Sequence, residues 1–300
     1  MEDYYKVFKA SDGTDIYYVD IGSGKPLLFV HGFGGSSQVQ IPIFRKLSDK
    51  FRCICFDQRG YGKTEGREKA GIEQSARDAY ELLEYLKLDS VVYLGYSMGA
   101  IILFDYVKKY GCKHLERVII GDSSPKLIND DTWDCGLYQG WYTKEQAEKD
   151  LETMKDNYIN FNLYFTDQTI TKHTKDDIRD FVVSPDLREV IMEKAGASVA
   201  TVNALLSVTP EQEQSNILYW KTMCMGDYRD ILKNITVPAA IIYADPGSLY
   251  DPRAAKYMAE NIPDAKLYPY MGCTHMAKNE KEEQFVSDIK EYIPYMGKVL

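Results

Sequence analysis

A serine with glycines two places before and two places after, Gly95-Tyr96-Ser97-Met98-Gly99, separates an apolar run at 90–94 from a helical stripe that opens at Ala100. A strand that turns within five residues into a helix leaves little choice of architecture. The helix must carry the chain back across the sheet, so the next strand runs parallel to the first. The two glycines clear space for a tight turn whose central side chain projects above the end of the strand.

The surrounding sequence has that rhythm. Residues 4–9 and 16–21 alternate like half-buried strands, and 26–30 (Pro-Leu-Leu-Phe-Val) is an apolar run bounded by glycines. Residues 52–56, 90–94 and 115–121 read as further buried strands. Between them, 72–86 and 100–110 carry helical spacing. From 125 to 235 the strands stop: Leu151, Met154 and Tyr158, then Leu187, Val190 and Ile191, are spaced as on helices, and Trp133, Trp141 and Trp220 all fall in this stretch. Strands at 239–243 and 266–270 and helices at 252–261 and 281–292 then resume the alternation. The expected class is α/β, with a core formed by 1–124 and 236–300 and a helical cap inserted at 125–235.

Composition excludes several functions. Thirty-six Lys and Arg against 45 Asp and Glu give a net charge of −9, which argues against a nucleic-acid partner. No long uncharged apolar run implies a membrane span, and the charged opening residues lack the apolar stretch of a signal peptide. The six cysteines are scattered without a CxxC, so reduced thiols and a cytoplasmic location are expected. No cluster has the spacing of a zinc site, so no metal is expected. Gly62-Lys63-Thr64 lacks the earlier glycine of a phosphate loop, and Glu65 stands where Gly60-Tyr61-Gly62 would need its third glycine to bind a dinucleotide; no cofactor is expected.

Ser97 is the candidate nucleophile, against the alternative of an ordinary Gly-rich turn with a helix-capping serine. His31-Gly32-Phe33-Gly34-Gly35 follows the run at 26–30 and can turn backbone N–H groups toward a developing oxyanion. The amides of Phe33 and Met98 are the candidate donors.

With Asp57-Gln58-Arg59-Gly60-Tyr61-Gly62 (a D-x-R-G-x-G) and Gly272-Cys273-Thr274-His275 (a G-x-x-H), these motifs resemble the α/β-hydrolase superfamily, in the family's order and over about residues 26–123 and 237–293. The resemblance implies an α/β-hydrolase fold: a mostly parallel eight-stranded sheet flanked by helices, with the cap matching in position alone. It makes His275 the general base among only four histidines. His31 reads as a brace of the oxyanion loop, and His114 and His173 as solvated surface residues. The acid departs from the family pattern, because Gly247 occupies the usual slot after strand 239–243. Asp122, at the end of the preceding strand, is the preferred substitute, ahead of Asp245 and of Asp251, whose place before Pro252 suits a helix N-cap. The cap aromatics are either the cap's own core or the lining of an apolar pocket.

The expectation is a serine hydrolase acting on small, largely apolar carboxylic esters, similar to the cofactor-free esterase and haloperoxidase branch. Two alternatives stand beside it. One is C–C cleavage or hydroxynitrile-lyase-like chemistry on the same fold. The other is a ligand-binding or signalling protein whose triad is degraded at the acid.

Overall fold

The computed structural model describes residues 4–170, 208–247 and 249–292. Eight strands form one sheet: β1 (Tyr5–Lys9), β2 (Asp15–Ile21), β3 (Lys25–Val30), β4 (Phe51–Phe56), β5 (Val91–Tyr96), β6 (Leu115–Gly121), β7 (Ala239–Pro246) and β8 (Ala265–Cys273). Their spatial order is β1-β2-β4-β3-β5-β6-β7-β8. Strand β2 is antiparallel to both neighbours, and every later pairing is parallel. All eight were legible as alternating or apolar runs, with ends shifted by a few residues. Strand β5 continues through Gly95 and Tyr96 to the serine itself.

Both faces of the parallel strands are covered, which is why β3 and β5 read as unbroken apolar runs. One face packs against α2 (Ile72–Tyr85) and α3 (Met98–Tyr110), the other against α1 (Ile41–Leu47) and α8 (Glu282–Tyr292). Helix α1 has no counterpart in the reading from sequence. It is two turns long, and Pro42 at its start is tolerated because the first turn has no intrahelical N–H bond to lose. Helix α7 (Pro252–Asn261) lies between β7 and β8.

Between β6 and β7 come α4 (Lys144–Asp156), α5 (Tyr158–Ile170) and α6 (Pro210–Cys224). Thr209 caps α6 reciprocally: its Oγ1 accepts from the Gln212 amide at 3.3 Å, and the Gln212 side chain accepts from the Thr209 amide at 3.0 Å. The helical spacing at Leu187, Val190 and Ile191, and His173, lie outside the described residues. Among the described residues, no helix is long and apolar enough to cross a membrane.

The strand order reverses between β3 and β5, because the chain leaves β3 toward β4 and then returns to β5 on the other side. In an open α/β sheet, this switch point opens a crevice at the carboxyl ends of the two strands. The segments leaving β3 and β5 are the His31–Gly35 loop and Ser97.

Candidate active site

Ser97 follows β5 directly, with φ 55° and ψ −121°, a conformation that costs of order 1–3 kcal/mol and persists only where its surroundings enforce it. Three features enforce it here. The Ser97 amide donates to the Gly121 carbonyl of β6 at 2.7 Å. A Cβ on Gly95 would lie 2.3 Å from the Gly99 carbonyl oxygen, and one on Gly99 would lie 2.0 Å from that of Val30. Only glycines let α3 start this close to the sheet.

Asp122 occupies the matching position one strand away. Its amide donates to the Ile242 carbonyl at 2.7 Å, and its Oδ1 accepts from the Ala244 amide at 3.1 Å. The other oxygen, Oδ2, lies 2.5 Å from Nδ1 of His275. Both side chains are buried. His275 lies just beyond β8, where its carbonyl accepts from the Tyr96 hydroxyl at 2.8 Å. The Tyr250 ring stands edge-on to the imidazole at 5.7 Å between centroids. Thr274 is tied back to Glu280 through both its amide and its hydroxyl. An imidazole whose Nδ1 faces a carboxylate presents Nε2 for proton transfer.

The other two carboxylates go elsewhere. Asp245 remains in β7, in register with Met271. Asp251 caps α7, accepting from the Arg253 amide at 2.9 Å. Gly247 has a structural reason to be glycine: its φ is +83°, and a Cβ there would meet the Tyr250 carbonyl oxygen at 2.6 Å. Tyr250, whose carbonyl lies against Gly247, has its ring beside His275. Burial, then the charge of Asp122, push the Tyr250 phenol well above its ordinary value, so it stays protonated beside the imidazole.

The loop after β3 is braced from beneath. Asp57 accepts from the Ser37 amide at 2.7 Å and the Lys63 amide at 2.8 Å. His31 is buried, its Nδ1 2.9 Å from the Gly32 carbonyl and its Nε2 3.3 Å from the Gln58 amide. Burial pushes the imidazole below its ordinary range, which suits a neutral brace. Met98 opens α3, where the first N–H groups have no carbonyl within the helix to receive them. The Phe33 ring packs edge-on against Phe165 at 5.4 Å and Trp220 at 5.3 Å, tying the loop to α5 and α6.

A cleft of about 210 Å³ gathers these groups, with Gly32, Phe33, Gln40, Ser97, His275 and Lys278 in its lining. Of the cap aromatics, Phe165 reaches this cleft. Most of the others are buried in the common core, and Trp133 packs on Tyr257 instead. His114 differs from its expected place on the surface: it is 9% exposed, with Nε2 2.6 Å from Glu84 and Nδ1 3.2 Å from Asp89. Its positive φ of 66°, at the turn entering β6, tucks the ring against Tyr80. Tyr250 and Lys278 were not singled out in the sequence, since neither belongs to a motif and only the fold brings them to the cleft.

A strained serine, a histidine on a buried aspartate and a braced glycine loop at the switch point of a mostly parallel sheet define an α/β hydrolase. The chain belongs to that family: residues 25–282 match the family described as alpha/beta hydrolase fold. It is 29% identical over 283 residues to a proline iminopeptidase of Lactobacillus delbrueckii subsp. bulgaricus, covering 88% of each chain. It is 24% identical over 290 residues to a non-heme haloperoxidase of Rhodococcus erythropolis, covering 95% of this chain and 97% of that one. An esterase from Exiguobacterium antarcticum superposes with a TM-score of 0.76 at 24% identity, covering 96% and 98% of the two chains.

Proposed function

We propose that this chain is a serine hydrolase that cleaves small, largely apolar carboxylic esters through an acyl-enzyme on Ser97. The observation that carries the reading is the contact of Asp122 with Nδ1 of His275. It supplies the acid that the glycine at position 247 cannot. Nε2 takes the Ser97 proton as Oγ attacks the ester carbonyl, and the amides of Phe33 and Met98 receive the developing oxyanion. His275 returns that proton to the departing alkoxide, which leaves as the alcohol. Water then adds to the acyl-enzyme with His275 again as base, releasing the acid and restoring Ser97.

The contact of Asp122 with His275 weighs against reading the chain as a degraded, binding-only member. The activities of the similar proteins, peptidase and haloperoxidase as well as esterase, are variants that the same nucleophile could serve. Small, largely apolar esters are favoured by the modest cleft and the aromatic wall formed by Phe33 and Phe165.

The test is labelling with a fluorophosphonate, followed by turnover of p-nitrophenyl esters and a prolyl anilide. Wild type should take the label and hydrolyse short acyl esters, and Ser97→Ala should do neither. An unlabelled wild type would sink the nucleophile assignment. Labelling with turnover of the anilide alone would move the substrate class to peptides, and labelling with no turnover of either would point to C–C or cyanohydrin cleavage.

A further inference from the structure

Among the described residues, Lys278 is a cation without a paired anion. It lies three residues beyond His275 and is half-buried in the lining of the cleft that contains Ser97. Other lysines withdrawn from solvent in this fold have carboxylates to meet: Lys25 sits on Glu116, Lys126 on Asp130 and Lys290 on Asp49. The Lys278 ammonium forms no ion pair or hydrogen bond among the described residues. Its charge lies 5.6 Å from the centre of the Tyr96 ring, near the outer limit for a cation–π contact, and feels Glu282 and Cys55 without a hydrogen bond or ion pair to either. The nearest acidic influence, Glu282, is already paired with Lys46 at 2.5 Å.

Withdrawing an ammonium from water without a partner is unfavourable, and proteins rarely retain one unless something arrives to pair with it. Burial lowers the Lys278 ammonium to about 8, so it is still mostly charged at neutral pH. It is the one lysine or arginine in the described lining of the cleft. A dianion such as a phosphate monoester would therefore bring an uncompensated charge into a protein that is already strongly acidic. A monoanion suits the site.

We propose that Lys278 pairs with a free carboxylate on the substrate, so that the preferred ester or lactone is otherwise apolar but carries one negative charge. This deepens the ester-hydrolase reading and rests on it. Lys278 is a specificity residue here; proton transfer remains with His275.

The test is a ratio. In one pair the charge is on the acyl side, monomethyl adipate against methyl heptanoate. In the other it is on the alcohol side, acetoxyacetate against propyl acetate. In wild type, kcat/KM should favour the charged ester of at least one pair by about tenfold or more. Lys278→Met should erase that preference, and Lys278→Arg should restore part of it. Equal or inverse preference in both pairs, or a ratio unchanged in Lys278→Met, would overturn the proposal.

Wild type supplies an arm that needs no variant to fold. The ratio should fall as pH rises through about 8, where the ammonium loses its proton. Of the groups around it, Tyr96 and Cys55 are pushed well up by burial and stay neutral, and Glu282 is ion-paired with Lys46. His275 serves both esters and cancels in the ratio. A ratio flat across that range would count against Lys278.

If wild type fails to take the fluorophosphonate label, the esterase reading falls first. Calorimetric binding of monomethyl adipate to Ser97→Ala then decides the lysine separately. Binding that is lost in Ser97→Ala/Lys278→Met upholds the carboxylate site; absence of binding to Ser97→Ala overturns it.

Discussion

The carboxylate of Asp122 and Nδ1 of His275 meet at 2.5 Å although 153 residues separate them in the chain. Two strand ends make the meeting possible. Asp122 follows β6 and His275 follows β8, with β7 lying between the two strands. The β7 backbone takes part, because the Ala244 amide holds Oδ1 and leaves Oδ2 to the imidazole. The proposed acid thus stands one strand nearer the serine than the slot occupied by Gly247. Tyr250, further along the chain from β7, stands edge-on to the same imidazole.

Asp122→Asn should leave the fold intact and lower kcat by about 10³–10⁴, because a neutral amide neither fixes the imidazole tautomer nor stabilises the imidazolium. Asp245→Asn should change kcat by less than about twofold, since its side chain plays no part in orienting His275. Steady-state kinetics on a p-nitrophenyl ester separate the two. Equal losses, or a loss confined to Asp245→Asn, would move the acid to β7.

The contrast between these two aspartates shows what the sequence could and could not disclose. Ser97, His31 and the strand-to-helix turn are local features: a few consecutive residues state both the conformation and the chemistry. His275 follows from its place after the last strand. The acid depends on which strands are neighbours and how their registers align, and both Asp122 and Asp245 end apolar runs. The sheet order brings Asp122 rather than Asp245 into contact with His275. His114 fails for the same reason: Lys113 beside it suggests surface, but Glu84 and Asp89 come from other turns of the chain to enclose the ring. Lys278 carries no local signal at all, since being unpaired is a property of the folded surroundings.

Gly99→Ala should destabilise the protein by about 3 kcal/mol, because the added methyl would sit 2.0 Å from the Val30 carbonyl oxygen and force α3 away from β3. Gly13→Ala makes the comparison. It has a positive φ of 87° but open space around the new Cβ, so only the backbone strain of about 1 kcal/mol applies. Urea midpoints at constant m-value measure both. Similar losses for the two would show that packing at the elbow is looser than the contact implies.

Arg59 should be among the most costly side chains to remove away from the catalytic centre. It is fully buried, with Nε and Nη2 donating to the two oxygens of Asp78 at 2.8 and 2.7 Å, and its carbonyl accepts from the Tyr219 hydroxyl of α6 at 3.2 Å. Arg59→Met strands the buried Asp78 carboxylate and should cost about 3–5 kcal/mol. Arg59→Met combined with Asp78→Leu should cost clearly less than the sum of the two single changes, as expected for a coupled pair. Strict additivity in urea unfolding would show that the two charges are independently solvated.

Asp150 on α4 gives a pH signature that can be assigned to one residue. It is buried, its Oδ2 accepting from the Tyr142 hydroxyl at 2.9 Å and its Oδ1 from Nε2 of the Gln146 side chain at 2.8 Å. The same Tyr142 hydroxyl accepts from Trp220 Nε1 at 2.8 Å, so the network joins α4 to α6. Burial pushes Asp150 up from an ordinary 3.8 to about 6, despite the two hydrogen bonds that oppose the shift. Between those values the folded state holds a proton that the unfolded state has released, so stability falls as pH rises through the interval and is level above it. The lost increment is about 2–3 kcal/mol. Asp150→Asn has no proton to lose, and its Gln146 partner can rotate its amide to accept rather than donate. The difference in unfolding free energy between Asp150→Asn and wild type should therefore grow in favour of the variant from pH 4 to pH 7, by about that amount. A difference that stays constant across the interval would mean that Asp150 is solvated well enough to ionise normally.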